Sequence, residues 1–390
     1  MDRAEKSLVV LLVFTFFMVT GFEMTMPLVI GQYVNTLGFL ATKVALALAV
    51  RKFFQQGLAM FGGLLADRCD IKHLIVLGML LRVLGFFSLG SARTFPALLL
   101  VMVFIGFGGM VFEPAYQTAI ASLTTEANRA RYFSLHNTVI GVASTLGPLV
   151  GALLLRVDFR RVCWAAAACF LANLLIAATW MPNIRRGGRS VTVRRSFSIL
   201  AADGRYLRFV GLMAVFWLAA SQIDISFPLK IQELSGTPES VGWMYSIYAA
   251  VTALLQYPLV SWLLKRHSPR RLAAAGTAIV GLSLFCVPLA GTTGSVLGIV
   301  VVLTVGMLLA RPNQQSLALS LADEEATGLY VGFQYLGFAF GNGGGVLLGG
   351  ALFDLSRGWA MPGFPWILYG SVAVLAAVGF VRASELDAPR

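Results

Sequence analysis

Charged side chains are scarce. Asp, Glu, Lys and Arg make up 12% of the 390 residues, against roughly 25% in soluble domains. That shortage excludes an ordinary water-exposed globular surface. Histidine (three) and cysteine (four) are also few. Cys69, Cys163, Cys169 and Cys286 form no C-x-x-C pair and have no histidine at metal-ligand spacing, so neither a disulfide framework nor a zinc site is expected. No nucleophile–base constellation stands out, and no glycine loop leads into Lys-Ser or Lys-Thr. An enzyme, an ATP-driven pump and a bound cofactor are therefore not expected. What the chain has in quantity is hydrocarbon: 58% hydrophobic residues and a mean hydropathy of +0.79.

The bilayer is the natural solvent for such a chain. Its hydrocarbon layer, about 30 Å thick, takes about 20 helical residues to cross. Twelve apolar stretches qualify, near 7–31, 42–65, 73–91, 96–121, 131–155, 161–181, 207–230, 239–264, 272–290, 294–317, 328–353 and 363–382. They are too long and too closely spaced for barrel strands, which predicts an all-α membrane protein of twelve transmembrane helices. The first stretch has no A-x-A site and reads as a retained helix rather than a cleaved leader. The net charge of +12 would suggest a nucleic-acid partner in a soluble protein. Here nineteen Lys and Arg fall on one side of the alternating loops and seven on the other. The positive-inside rule then puts both termini in the cytoplasm, with no nucleic acid required.

The chain is doubled. A shift of 198 aligns 106–155 with 304–353 without a gap, matching Gly108 with Gly306, Pro114 with Pro312, Gln117 with Gln315, Gly147 with Gly345 and Gly151 with Gly349. Upstream the register becomes 201, where Glu23 meets Asp224 and Pro27 meets Pro228. Residues 1–181 and 207–390 are thus expected to form two six-helix bundles in parallel orientation. Residues 182–206, with five arginines within 185–195 and no apolar period, form a basic cytoplasmic linker.

Two six-helix halves joined by a basic loop describe the major facilitator architecture, and particular strings resemble that superfamily. GGLLADRCDIKH at 62–73 is similar to its loop signature between spans two and three. Gly141-x5-Gly147-Pro148-x2-Gly151 resembles the antiporter signature of its drug/proton branch. RKFFQQGLAMFGGLLADR, GGMVFEPA and SLADEEATGLYVGF extend the likeness over nearly the whole chain. The chain departs from the pattern at Asp70 and Ile71, at Met102 where span four usually holds an arginine, and at Ala152. The resemblance implies a bacterial inner-membrane location. It also implies a cytoplasmic latch of Gly63, Asp67, Arg68 and Lys72, which ties the end of span two to the start of span eleven.

Acids inside spans cost roughly 2.5–3.5 kcal/mol each on insertion and default to functional hypotheses. There are three: Glu23, Glu113 and Asp224. At about 1.5 Å per residue, Glu23 and Arg51 reach similar depths on neighbouring spans and are candidates for a buried ion pair. The position matching Arg51 in the second half is Ala249, so Asp224 lacks the same mate in sequence. Glu113 stands mid-span with Pro114 after it, as Arg311 does with Pro312. The resemblance places Glu113 and Arg311 at a central cavity, while Arg82 competes as Glu113's partner. All three acids are proton-coupling candidates, with ion-pair locking as the other reading.

Cavity candidates are Tyr116, Gln117, Trp217, Gln222, Tyr245, Tyr248, Gln315, Gln334 and Tyr335, with Gln55 also polar at depth. Gly337, Gly341, Gly345 and Gly349 recur every fourth residue, as do Ala143, Gly147 and Gly151. Such stripes let helices pack closely and are expected where the two halves meet. The expected function is proton-coupled export of small lipophilic or cationic compounds by a monomer that alternates its access. Two alternatives stand: a transporter of a specific lipid, siderophore or metabolite with the acids as locks, and a non-transporting membrane sensor or assembly partner.

Overall fold

The computed structural model describes residues 3–59, 61–62, 65, 69–123, 126–181, 203–264, 266–321, 327–358, 361–383 and 386. Among them are helices and turns and no strand. Ten segments are long and apolar enough to cross a bilayer: Leu8–Thr36, Ile71–Leu89, Phe95–Ile120, Thr138–Leu155, Phe159–Trp180, Gly204–Ser235, Pro269–Leu289, Thr293–Ala318, Phe333–Gly358 and Phe364–Arg382. These are spans one, three to seven and nine to twelve. Span two is the helix Ala41–Lys52 running into a π-helical turn at Phe53–Gly57, and span eight is Glu239–Leu264. Span two is the least apolar because Arg51, Lys52, Gln55 and Gln56 fall within it.

The helices begin where short polar residues can cap them. Asp70 accepts from the Lys72 amide at 2.9 Å, Asp158 from Arg160 at 3.1 Å and Asp203 from Tyr206 at 3.0 Å. Each satisfies one of the first-turn N–H groups that a helix leaves without a partner. Asp70 occupies one of the positions where the chain departs from the family's loop, and this cap is what the departure supplies.

The chain packs into two units. Unit 1 holds 1–39, 50–189 and 237–249; unit 2 holds 40–49, 190–236 and 250–390. Each therefore includes a short segment from the other half of the sequence: the first part of span two in unit 2, and the start of span eight in unit 1.

Within unit 1, spans three and four touch through a pair of glycines. A Cβ at Gly78 would lie 2.8 Å from the Gly108 carbonyl oxygen, and one at Gly108 would lie 2.8 Å from that of Gly78. In unit 2, Gly276 and Gly306 meet reciprocally in the same way, each 198 residues on. The small-residue stripes behave alike. Gly147 packs on Thr20 and Glu23 of span one, and Gly345 packs on Leu218 and Ser221 of span seven. Gly151 meets Met24, and Gly349 meets Gln222.

These stripes therefore seat span five on span one and span eleven on span seven, inside each six-helix set. The expectation that they mark the contact of the two halves is corrected for these residues. Different positions reach the exchanged segments. A Cβ on Gly242 of span eight would lie 2.6 Å from the Ala152 Cβ in unit 1. One on Gly350 of span eleven would lie 2.5 Å from the Ala45 Cβ in unit 2.

The same contacts revise one pairing. The residue packed as Glu23 is packed turns out to be Ser221, 198 residues on, whereas Asp224 lies three residues further. A 3-10 turn at Ser221–Asp224 interrupts span seven there. Its tighter winding, about 2.0 Å of rise per residue, is where the register slips from 198 to 201.

Candidate functional site

Glu113 lies in the second half of the span-four helix Phe95–Leu123, immediately before Pro114. Two other spans bring polar groups to it. From span three, Arg82 places Nη2 3.3 Å from Glu113 Oε1. From span two, Gln55 donates Nε2 to the same oxygen, and its own Oε1 accepts from Arg51 Nη1 at 2.7 Å. The result is a chain of polar groups, Arg51 to Gln55 to Glu113 to Arg82, built by three helices of unit 1.

Glycine makes this convergence sterically feasible. A Cβ on Gly109 of span four would stand 2.7 Å from Gln55 Cγ and 2.9 Å from Arg82 Nη2. At Gly106 it would run into the Arg51 backbone carbonyl and Phe54. Gln55 itself lies in the π turn Phe53–Gly57, a local under-winding of the kind often found at functional sites.

Electrostatically, the Glu113 carboxylate faces the Arg82 guanidinium, and aromatic rings stand beside the guanidinium groups of Arg82 and Arg51. The Arg82 guanidinium stands 5.3 Å from the centre of the Phe112 ring, 5.6 Å from that of Phe170 and 5.9 Å from that of Phe22. Arg51 is 5.1 Å from the Phe22 ring. Planar, weakly hydrated guanidinium suits such a setting better than an ammonium would. Accessibility divides the pair unequally: 3% for the Arg82 side chain and 38% for Glu113. The cation is sealed in, and the acid can be reached.

Other sequence-expected residues take varied places. Glu23 is half-buried, with its Cβ over Gly147. Arg51 is held in the Glu113 cluster. Asp224 ends the 3-10 turn of span seven, half-buried. Arg311 is exposed, with its guanidinium 5.1 Å from the Trp217 ring, and Trp217 in turn lies edge-on to Phe338 at 4.3 Å. Gln117, Gln315 and Tyr335 are exposed, Gln334 and Tyr248 are intermediate, and Tyr245 is buried.

Two cavity candidates are fully engaged in packing. Tyr116 pairs with the Thr15 hydroxyl at 2.6 Å and donates to the Leu11 carbonyl at 3.0 Å. Gln222 donates to the Gly345 carbonyl at 3.1 Å and accepts from Ser226 at 2.6 Å. Of the expected latch, Gly63, Asp67 and Arg68 lie outside the described residues. Lys72 stands in the first turn of span three. Gly141 is half-buried and Pro148 buried on span five, and Gly341 meets Ala214 of span seven.

The residue that sequence reasoning underrated is Gln55. It was only one of several glutamines at depth, yet it bridges Arg51 and Glu113. The available signal was its position four residues after Arg51, on the same helix face.

A family profile described as Major Facilitator Superfamily matches residues 11–234 and 209–390. The chain is 34% identical over 364 residues to a protein of Photorhabdus laumondii subsp. laumondii named multidrug resistance protein MdtH, covering 93% of this chain and 91% of that one. It is 34% identical over 366 residues to one of the same name from Citrobacter koseri, covering 94% and 91%. Among solved structures, a POT family transporter in complex with 5-aminolevulinic acid superposes with a TM-score of 0.82 at 17% identity, covering 98% of this chain and 97% of that one. A nucleoside transporter NupG (D323A mutant) reaches 0.80 at 14% identity, covering 97% and 100%.

Proposed function

This chain belongs to the major facilitator superfamily, a multi-pass membrane transporter family, and from that premise we propose that it exports small lipophilic or cationic compounds in exchange for protons. The export of drugs is carried over from the relatives named for multidrug resistance. The coupling to protons is argued from the Glu113 cluster.

One observation carries that argument. Glu113 is an acid within a membrane helix, open on one side, and its neighbours Arg82 and Arg51 with Gln55 are buried. A proton arriving at Glu113 removes the charge that balances Arg82 and weakens the ionic bonds holding spans two, three and four together at this level. A cationic compound arriving instead is attracted to the ionised carboxylate. The two occupants compete for one oxygen pair, which is the elementary requirement for exchange. Small changes in that balance are enough to bias a protein with two conformations. Glu23 and Asp224 remain further candidates for the same duty. Transport in the bacterial inner membrane by a monomer, with both termini in the cytoplasm, completes the proposal.

The pairing of Glu113 with Arg82 inside a single unit favours a second reading, in which the acid is a structural lock and the cargo is a particular lipid or metabolite. Glu113→Gln separates the two. Under the exchange reading, everted vesicles containing this variant at normal abundance lose efflux driven by a pH gradient. Gradient-driven efflux at the wild-type rate removes Glu113 from the mechanism.

A further inference from the structure

Asp354 lies in the last turns of the span-eleven helix Thr327–Gly358. Its carboxylate accepts three hydrogen bonds from the first residues of span two. Oδ1 accepts from the Ala41 amide at 3.2 Å, and Oδ2 accepts from the Thr42 amide at 2.8 Å and the Thr42 hydroxyl at 2.6 Å. The residue before this helix, Leu40, has no side-chain oxygen with which to cap it. The cap instead arrives from a helix more than 300 residues away in sequence. A carboxylate at this point both satisfies first-turn amides and opposes the positive end of the helix dipole.

One turn earlier on span eleven, Gly350 allows backbone contact. A Cβ there would lie 2.5 Å from the Ala45 Cβ and 2.7 Å from the Ala41 carbonyl oxygen. Ala41, Ala45 and Leu48 form a buried stripe at helical spacing. The start of span two is thus held in unit 2 by one charged residue at its tip and a close-packed stripe behind it. From Val50 onward the same span belongs to unit 1, where it carries Arg51 and Gln55. One short helix therefore connects Asp354 to the candidate proton site.

We propose that Asp354 is a releasable clasp on the start of span two, a positioning residue that sets how often that end of the span opens during transport. The inference rests on the reading of this chain as an alternating-access exporter with its termini in the cytoplasm, which puts the clasp on the external face. All three bonds go to groups that water serves equally well once the helix tip is free, so the clasp can let go without stranding a buried donor. It is the reverse of the arrangement expected for Asp67: there the end of span two meets the start of span eleven, and here span eleven reaches back to the start of span two.

The test needs no cargo. Leu48, 6% exposed, is changed to Cys in a full-length chain whose Cys69, Cys163, Cys169 and Cys286 have been replaced. Its reaction with a membrane-impermeant maleimide is timed from outside intact cells. Asp354→Ala is expected to speed labelling by about two- to thirty-fold, the range corresponding to loss of a helix N-cap. Thr42→Val, which removes one bond and keeps the charge, should produce a smaller change in the same direction. A control cysteine at Ala373, buried in span twelve, should stay slow in every variant.

An unchanged rate at Leu48→Cys in either variant overturns the clasp, as does equal acceleration at Ala373→Cys, which would mean general loosening. If Asp354→Ala does not reach the membrane, Thr42→Val carries the decision alone. Loss of drug export in an otherwise wild-type protein, with the labelling response intact, would refute the transport reading and leave the clasp standing.

Discussion

Truncating the two members of the Arg82–Glu113 pair should have unequal consequences for stability. Removing one partner of a buried ion pair costs about 3–5 kcal/mol, because the other charge is left uncompensated. That range applies to Glu113→Ala, which strands a guanidinium only 3% accessible. The rings of Phe22, Phe112 and Phe170 around Arg82 offset part of the loss, at about 0.5–1 kcal/mol for each cation–π contact. The net expectation is a loss of about 2 kcal/mol. Arg82→Met is different. It leaves a carboxylate that is 38% accessible, hydrated and still bonded to Gln55, while Met fills the vacated apolar space. Its cost should resemble that of an exposed pair, about 0–1 kcal/mol. In the double variant Glu113→Ala with Arg82→Met, no charge is stranded, and stability should fall within about 1 kcal/mol of Arg82→Met alone. The cycle is measured by equilibrium unfolding in mixed detergent micelles, followed by tryptophan fluorescence. Equal losses from the two single variants, or strictly additive losses in the double, would refute the assignment of Arg82 as the sealed partner and Glu113 as the open one.

Two further outcomes follow from the same geometry. Gly109→Ala puts a methyl group against Gln55 Cγ and Arg82 Nη2, so proton-driven efflux should drop several-fold while the protein still reaches the membrane; efflux at the wild-type rate would show that the cluster tolerates displacement. Asp70→Ala deletes the cap of span three and should lower stability by about 1 kcal/mol, with Asp70→Asn recovering most of it; unchanged stability of Asp70→Ala in the same micelle assay would show that the cap contributes nothing.

The fold was legible because its signals are long. A twenty-residue apolar run survives local irregularities, and a repeat spaced by 198 residues survives sequence drift. Gly78 and Gly276 touch equivalent partners, as do Gly147 and Gly345. The site was legible only in part, because depth along a helix can be counted from sequence while rotation about its axis cannot. Counting put Arg51 level with Glu23. The π turn of span two, which leaves no trace in hydropathy, holds Gln55 where it joins Arg51 to Glu113. Arg82 was anticipated as a partner for Glu113 because the two share a depth on neighbouring spans. Asp354 escaped notice for the converse reason: it lies near the end of a span, where an acid incurs little insertion penalty and so raises no alarm. Gln222 and Tyr116 were chosen for being polar at depth, a property that fits a packing bond as well as it fits a binding surface.

The widened turn at Phe53–Gly57 has a mechanical corollary. It stores one surplus residue, and were it rewound to ordinary α geometry, everything beyond it would swivel by about 100° and shift by about 1.5 Å. A tug on the tip of span two would then arrive further along as torque, turning Gly62 off its seat on Met110. A five-residue coil in the shaft would in that event convert pulling at one end into screwing at the other.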